Sequence, residues 1–310
     1  MIKGTVIKGV GGLYTVRLDT PHLGTDIAEV RGRGAFRHEK LVLLAGDRVE
    51  LEPVENGYFC KSILERKNSL IRPPLANLDM IFVVIPCKKP MPSYEIIDKL
   101  ISIAEYNKIE PVIIITKADL DEDFAAELYR VYKNSGFEVF ITSSLDGQGV
   151  DEVIGFLSKR AEGCGPLCAF AGASGAGKST LMNTLFPNLH LETGDLSQKI
   201  ERGKNTTRHT ELFPLSLLIG EGKSGYLADT PGFSLLDFER FDFFGLEDLF
   251  DTFREFKKHT GECKYTKCSH TKEEGCAILE MVKRGEIEKT RHQSYVSLYE
   301  ILKKKPSWKK

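Results

Sequence analysis

Eight residues near the middle of the chain, Gly172-Ala173-Ser174-Gly175-Ala176-Gly177-Lys178-Ser179, constrain its fold more than any other feature. They fit the pattern G-x4-G-K-[ST]. The apolar run Leu167–Ala171 reads as a strand before them, and Ser179-Thr180-Leu181-Met182-Asn183 reads as the start of a helix after them. Strand, glycine-rich loop and helix together make a phosphate cradle. Glycines let the backbone wrap a phosphate and aim N–H groups at it. The helix adds the positive end of its dipole. In that arrangement Lys178 reaches the β- and γ-phosphates and the Ser179 hydroxyl binds Mg²⁺. The plain alternative, a fortuitous glycine-rich turn, does not account for the strand and the helix on either side.

A phosphate loop needs a parallel sheet around it, and the flanking sequence supplies one. Met80–Ile85, Pro111–Thr116 and Glu138–Thr142 are continuous apolar runs of the kind buried on both faces. Tyr226–Asp229 reads as another strand. Helical segments are predicted near 93–107, 121–135 and 150–160, and this alternation argues for a doubly wound α/β domain. Upstream, residues 1–68 read as five short strands with glycine-rich turns. A small barrel of the OB type leads, with an unspecified small β domain as the plain alternative. Residues 66–77, with Arg66, Lys67, Arg72, Pro73 and Pro74, read as a linker. Past Gly232 the β signal fades. The seven phenylalanines between 236 and 256 read as packing for a helical C-terminal region, not as a cofactor site.

Further motifs surround the cradle. Asp229-Thr230-Pro231-Gly232 closes a predicted strand. In phosphate-loop proteins a carboxylate there holds Mg²⁺ and the glycine N–H senses the γ-phosphate; without the cradle a β-turn would serve equally well. Thr116-Lys117-Ala118-Asp119 follows strand 111–115 and matches N-K-x-D with Thr in place of Asn. A carboxylate accepts from guanine N1–H and its amino group, a donor pair adenine lacks. The alternative is an ordinary strand end with Asp119 as a helix cap. Ser143 and Ser144 close the next strand and resemble a second base-binding loop. Between the cradle and Asp229 lies Arg202–Thr210, where Thr206 or Thr207 offers the hydroxyl that completes Mg²⁺ coordination; an exposed polar loop is compatible with this. Phe233 follows Gly232 where many GTPases carry the Gln that orients water, so intrinsic hydrolysis is expected to be slow. The base motif precedes the phosphate loop, a circular permutation of the ordinary order.

Seven cysteines in 310 residues make no disulfide framework. Cys263, Cys268 and Cys276 lie within 14 residues beside His270, a spacing that fits a closed tetrahedral zinc site and a structural role. Redox thiols or buried thiols are the alternative. Cys164 and Cys168 read as structural, and His259 as a surface residue. The chain carries 43 basic and 44 acidic residues, which removes the simplest argument for nucleic-acid binding. That total conceals a segment, 263–310, with twelve Lys and Arg against six Glu. It also conceals Arg31, Arg33, Arg37 and His38 clustered around Phe36, readable as an RNA contact or as a solvated surface. No apolar run approaches a membrane span and no secretory signal opens the chain, so a cytoplasmic protein without a membrane partner is expected; separately, a monomer is expected.

Taken together, Arg33–Arg37, Gly46–Val49, Thr116–Asp119, Gly172–Thr180, Lys204–Arg208, Asp229–Gly232 and the Cys/Cys/His/Cys spacing resemble one bacterial family over nearly the whole chain. It is the circularly permuted, ribosome small subunit-dependent GTPase A (RsgA) family. The resemblance implies a multi-domain chain: an N-terminal OB-fold β-barrel (1–68), a circularly permuted α/β GTPase domain (69–235) and an α-helical zinc-binding domain (236–310). It implies GTP and GDP as ligands with Mg²⁺ held at Ser179 and Thr207, and one structural zinc. It also implies 16S rRNA and the 30S subunit as partners, a role in late 30S maturation and ribosome-stimulated hydrolysis. The implied catalytic set is Lys178, Ser179, Thr206, Thr207, Asp229 and Gly232. The implied nucleotide-binding set is Thr116, Lys117, Ala118, Asp119, Ser143, Ser144 and Gly172, Ala173, Ser174, Gly175, Ala176, Gly177, Lys178, Ser179, Thr180. One departure is Asn205, where similar members carry His before the paired threonines; nearby His209 is a substitute. The competing classes are an ATPase or small-molecule kinase, and a non-enzymatic RNA-binding module.

Overall fold

The computed structural model describes residues 1–31, 42–55, 57–71, 73–187, 210–229 and 243–305. The first five strands are β1 (Ile2–Val10), β2 (Leu13–His22), β3 (Thr25–Arg31), β4 (Arg48–Val54) and β5 (Gly57–Ile63). They close a barrel in the order β1-β2-β3-β5-β4 and back to β1, with only the β3–β5 pair parallel. Gly11 and Gly12, at φ +60° and +87°, form the two-residue β1–β2 hairpin turn that needs left-handed residues at both positions. Val6, Val16, Val30, Val49 and Leu51 point inward, the alternation a pleated strand requires.

In the segment read as a linker, Leu70, Pro73, Leu75, Ala76 and Asn77 are buried. Strands β6 (Ser69–Leu70) and β7 (Leu75–Ala76) form a small hairpin, and Leu75 and Ala76 are fully buried. Asn77 Nδ2 donates to the Gly46 carbonyl at 2.9 Å. A Cβ on Gly46 would stand 2.0 Å from the Ala76 carbonyl oxygen. The sequence reading weighted the prolines and charges; burial of the few apolar residues between them decides the structure.

Next come β8 (Met80–Pro86), α1 (Tyr94–Tyr106), β9 (Glu110–Thr116), α2 (Glu122–Asn134), β10 (Glu138–Ile141), α3 (Val150–Arg160), β11 (Leu167–Ala171) and α4 (Lys178–Leu185). β12 (Glu211–Pro214), α5 (Leu215–Ile219) and β13 (Tyr226–Asp229) complete this part. The strand order is β10-β9-β8-β11-β13-β12. All neighbours are parallel except β12, which runs antiparallel to β13. Residues alternate between two apolar layers. Ile81, Val83, Ile85, Ile113 and Ile115 pack with α1 and α2, while Phe82, Val84, Val112 and Ile114 pack with α3 and α4. The chain leaves β8 toward β9 and leaves β11 toward β13. The β8–β11 boundary is therefore a topological switch point, where a doubly wound sheet opens a crevice at its carboxyl ends.

β12, absent from the sequence reading, extends the sheet into the barrel. Lys8 of β1 pairs with Glu211, and their side chains form an ion pair at 2.7 Å. At the C-terminal end a seven-residue 3₁₀ segment (Leu246–Thr252) is followed by α6 (Arg254–Lys257), α7 (Ala277–Arg284) and α8 (Lys289–Lys303). Their core holds Phe244, Leu249, Phe253, Phe256, Ile278 and Leu298, which bears out the packing role assigned to the phenylalanines that are described. No helix among the described residues is long and apolar enough to cross a membrane.

Candidate functional site

The phosphate loop sits at the switch point. Gly172 has φ +154°, and a Cβ there would lie 2.5 Å from the Val84 carbonyl oxygen, so β8 presses close and only glycine fits. Gly175 and Gly177 take left-handed φ of +74° and +89°, which turns the loop into the start of α4. Lys178 Nζ donates to the carbonyls of Gly172 at 2.8 Å and Ala173 at 2.9 Å. Burial pulls its pKa down, as expected of an ammonium held in a concave, partly dry site. Ala173 and Ser174 are exposed on the loop, Ala176 is buried, Ser179 is half-buried and Thr180 exposed.

The loop after β9 is tied directly to this cradle. Thr116 is buried, and its hydroxyl donates to the Ala176 carbonyl at 2.8 Å. Lys117, left-handed at φ +58°, donates from Nζ to the Gly175 carbonyl at 2.8 Å and also to the Lys89 carbonyl. Ala118 N–H donates to the Thr142 carbonyl at 3.3 Å, which joins this loop to the end of β10. Asp119 is exposed, Ser143 buried and Ser144 half-buried. Thr116–Asp119, Ser143–Ser144 and Gly172–Thr180 therefore share one edge of the sheet. Asp229 ends β13 on the same edge, opposite Glu211 in the ladder. Burial raises its pKa, and the neighbouring Glu211 raises it further. Thr206, Thr207, Asn205, His209, Gly232 and Phe233 lie outside the described residues, as do Arg33, Phe36, Arg37 and His38.

The segment 87–93 escaped the sequence reading. Cys87 N–H donates to the Thr116 carbonyl at 2.9 Å. Lys88 Nζ lies 2.9 Å from Asp121. Pro90 Cδ stands 3.4 Å from where a Cβ on Gly175 would be. The available signal was its place directly after an apolar strand at the switch point.

A second cluster lies in the C-terminal helical part. Ligand atoms of Cys263, Cys268, His270 and Cys276 all fall within 4.8 Å of one another. His270 Nδ1 is 3.5 Å from the sulfurs of both Cys263 and Cys276, and those sulfurs are 4.0 Å apart. Ala277 N–H donates to the Cys263 sulfur at 3.3 Å, and His292 Nε2 meets the His270 carbonyl at 2.8 Å. Burial and the neighbouring thiols push Cys268 up to about 12. Burial likewise raises the Cys276 thiol, and both groups ionise more readily when a cation joins them. Glu273 shapes the loop between the ligands, accepting from the N–H groups of Ser269 at 3.0 Å and Thr271 at 3.1 Å. Burial opposes its charge, yet these bonds and that of the Ser269 hydroxyl hold it down to about 2. Cys168 is buried in β11 as expected, but Cys164 is exposed and belongs to no core. His259 is half-buried against Glu262 at 2.8 Å, apart from the cluster.

A doubly wound sheet with a phosphate cradle at its switch point, a guanine-type motif tied to it from an upstream strand, an appended five-stranded barrel and a Cys₃His helical module define a circularly permuted GTPase. The family models agree: RsgA GTPase matches residues 63–239 and the RsgA N-terminal domain matches residues 3–58. A curated relative from Caldanaerobacter subterraneus, named small ribosomal subunit biogenesis GTPase RsgA, is 38% identical over 98% of this chain and 97% of its own. One of the same name from Ruminiclostridium cellulolyticum is 37% identical over 99% of this chain and 95% of its own. The crystal structure of YjeQ from Thermotoga maritima superposes with a TM-score of 0.79 at 30% identity, covering 98% of this chain and 99% of that one. YloQ, described as a circularly permuted GTPase, gives 0.76 at 31% identity, covering 99% of this chain and 98% of that one. The chain belongs to the RsgA GTPase family.

Proposed function

We propose that this GTPase acts on the small ribosomal subunit and assists its late maturation, with hydrolysis that is slow alone and stimulated by the 30S particle. The observation that carries the nucleotide part is the pair of tethers from Thr116 to Ala176 at 2.8 Å and from Lys117 to Gly175 at 2.8 Å. They hold a base-reading loop and a phosphate cradle as one pocket. In this reading Gly172–Thr180 bind the phosphates and Thr116–Asp119 with Ser143 and Ser144 bind guanine. Lys178 is freed from its loop carbonyls when the β- and γ-phosphates offer a better anionic partner. Mg²⁺ suits the hard oxygen donors of this edge, the Ser179 hydroxyl and the Asp229 carboxylate, and in this scheme the Thr207 hydroxyl would complete the set. When bound, the ion neutralises charge on the β- and γ-phosphate oxygens. Thr206 and Gly232 contact the γ-phosphate in the same scheme. Phe233 offers no group to orient water, which motivates the low intrinsic rate.

Zinc is the ion proposed for the Cys₃His cluster. Bonds of ~2.3 Å to sulfur and ~2.0 Å to nitrogen around a tetrahedral ion put two sulfurs ~3.8 Å apart and sulfur and nitrogen ~3.5 Å apart. The separations of 4.0 Å and 3.5 Å in the cluster fit that frame. Four protein ligands leave no open position, so the role is structural. The modules are proposed to run 1–68, 69–235 and 236–310. Small-subunit relatives named above motivate the partner, and 16S rRNA would meet the barrel and the basic segment 263–310. A monomer in the cytoplasm fits this assignment.

The decisive experiment is GTP turnover with and without purified 30S subunits; an identical rate in both removes the ribosomal part. Asp119→Asn separates GTP from other nucleotides. Preference should move toward xanthosine triphosphate, and unchanged GTP affinity would count against the base assignment.

A further inference from the structure

The most deeply buried ionic group in the described residues lies far from the pocket in sequence, yet it grips the helix that leads from it. Arg291 on α8 is wholly buried. Its guanidinium meets Asp98 of α1 at 2.5 Å and Glu255 of α6 at 2.7 Å. Tyr132 of α2 donates to the same Asp98 at 3.2 Å. The guanidinium also lies 4.5 Å from the Phe253 ring centre. We propose that Arg291 and Asp98 are positioning residues for the nucleotide pocket, fixing α1 so that the loop at its N-terminus braces the phosphate cradle.

The physical case starts from what such a group is good for. Burying two carboxylates and one guanidinium costs desolvation that their attraction need not recover, so stability alone is a poor reason for the cluster. Apolar faces can slide past each other; a planar guanidinium fork shared between two carboxylates accepts one geometry. The cluster therefore sets register between α8 and α1. Burial opposes the charge of Arg291, but Asp98 and Glu255 outweigh it and hold the guanidinium above its ordinary value. The other end of the route is short. Asp98 lies in the second turn of α1, which begins at Tyr94. The preceding loop bonds the pocket twice, Cys87 N–H on the Thr116 carbonyl at 2.9 Å and the Lys89 carbonyl on Lys117 Nζ, and its Pro90 lies beside Gly175, 3.4 Å from where a Cβ there would stand. Any shift or rotation of α1 moves these contacts together. The zinc-type module and the nucleotide pocket are thereby mechanically joined through one helix.

The proposal rests on the nucleotide reading above, and the test keeps the two apart. Release of fluorescently labelled GDP is measured on the full chain, together with its melting temperature. If the unaltered chain binds no GDP, the pocket assignment fails before any variant is compared. The variant Asp98→Leu/Glu255→Met/Arg291→Met replaces the charges with apolar bulk. It is expected to melt no lower than the parent while releasing GDP at least about 3-fold faster, the scale of coupling carried through packed networks. Asp98→Asn, which keeps the shape, should accelerate release in the same direction. Glu288→Gln serves as control, because Glu288 binds Arg130 and Asn134 of α2 and not α1; its release rate should stay at the parent value. Parent-like release in the triple variant overturns the proposal. So does a triple variant that fails to fold, which would make the cluster a stability element. Equal acceleration by Glu288→Gln would also overturn it, by assigning the effect to the interface at large.

Discussion

Replacing Thr116 by Val is the sharpest single perturbation of the pocket. The two side chains share a shape, but Val has no donor. Thr116 is 3% exposed and its hydroxyl reaches the Ala176 carbonyl at 2.8 Å, with Ala176 itself 1% exposed. Water therefore cannot take over the lost bond easily. Such a bond is worth about 0.5–1.5 kcal/mol net, and orphaning the carbonyl costs about 1–3 kcal/mol. The second quantity lowers the stability of free and bound protein alike. Only the first biases the cradle toward its tethered, binding-competent arrangement. It translates into about 2- to 12-fold weaker nucleotide binding. Titration of labelled GDP measures this, with thermal melting alongside. Thr116→Asn supplies a carboxamide donor at the same place and should return affinity to within about 2-fold of the parent. A Val variant that melts lower but binds with unchanged affinity refutes the reasoning, since the bond would then serve packing alone. Failure of Asn to rescue would refute the tether while leaving the pocket.

Three other outcomes follow from the structure. Stripping the ion from the Cys₃His cluster, or Cys276→Ser, should release about one zinc per chain and unfold the C-terminal helices, because structural zinc binding is folding free energy of order 10 kcal/mol; metal analysis with circular dichroism reads both. Phe253→Ala opens a cavity among Phe256, Tyr295 and Leu298 and should cost about 3–5 kcal/mol in urea unfolding; a loss under ~1 kcal/mol would mean the core collapses around it. Asp121 caps α2 through Phe124 N–H at 3.1 Å, and Lys88 first, then that N–H, holds its pKa below 3.8. A depressed carboxylate stabilises fully above its unfolded pKa and loses that contribution as pH falls through the lower folded value. Its carboxyl resonance should therefore titrate below pH 3.8, and a midpoint above that removes the ion pair from the argument.

The fold was legible wherever local pattern and tertiary role coincide. Strands 80–86, 110–116 and 167–171 announced themselves because burial on both faces demands unbroken apolar runs. α1, α2 and α3 fell within a residue or two of the predicted segments. The cradle and the Cys₃His spacing were equally plain, since each chemistry works only with its own residue types at its own intervals. β12 left no such trace. Four residues with one fully buried side chain have too little periodicity to stand out, and their pairing with β13 and β1 is entirely non-local. The hairpin at 69–76 hid behind prolines and charges for the same reason.

By itself the amino-acid sequence determined the chemistry: a phosphate loop, a guanine-type motif with Thr116 in the first position, and a Cys₃His cluster that could hold a metal ion. What only the tertiary structure decided is how these parts are joined. Thr116 stands where the motif has Asn, and its short hydroxyl reaches the Ala176 carbonyl because the end of β9 approaches the cradle closely. Arg291 and Asp98 stand 193 positions apart in the chain. No interval, composition or period links them, and their pairing exists only because α8 packs across α1. Motifs are written locally because chemistry is local; the contacts that coordinate them are long-range, and they become visible only in the folded chain.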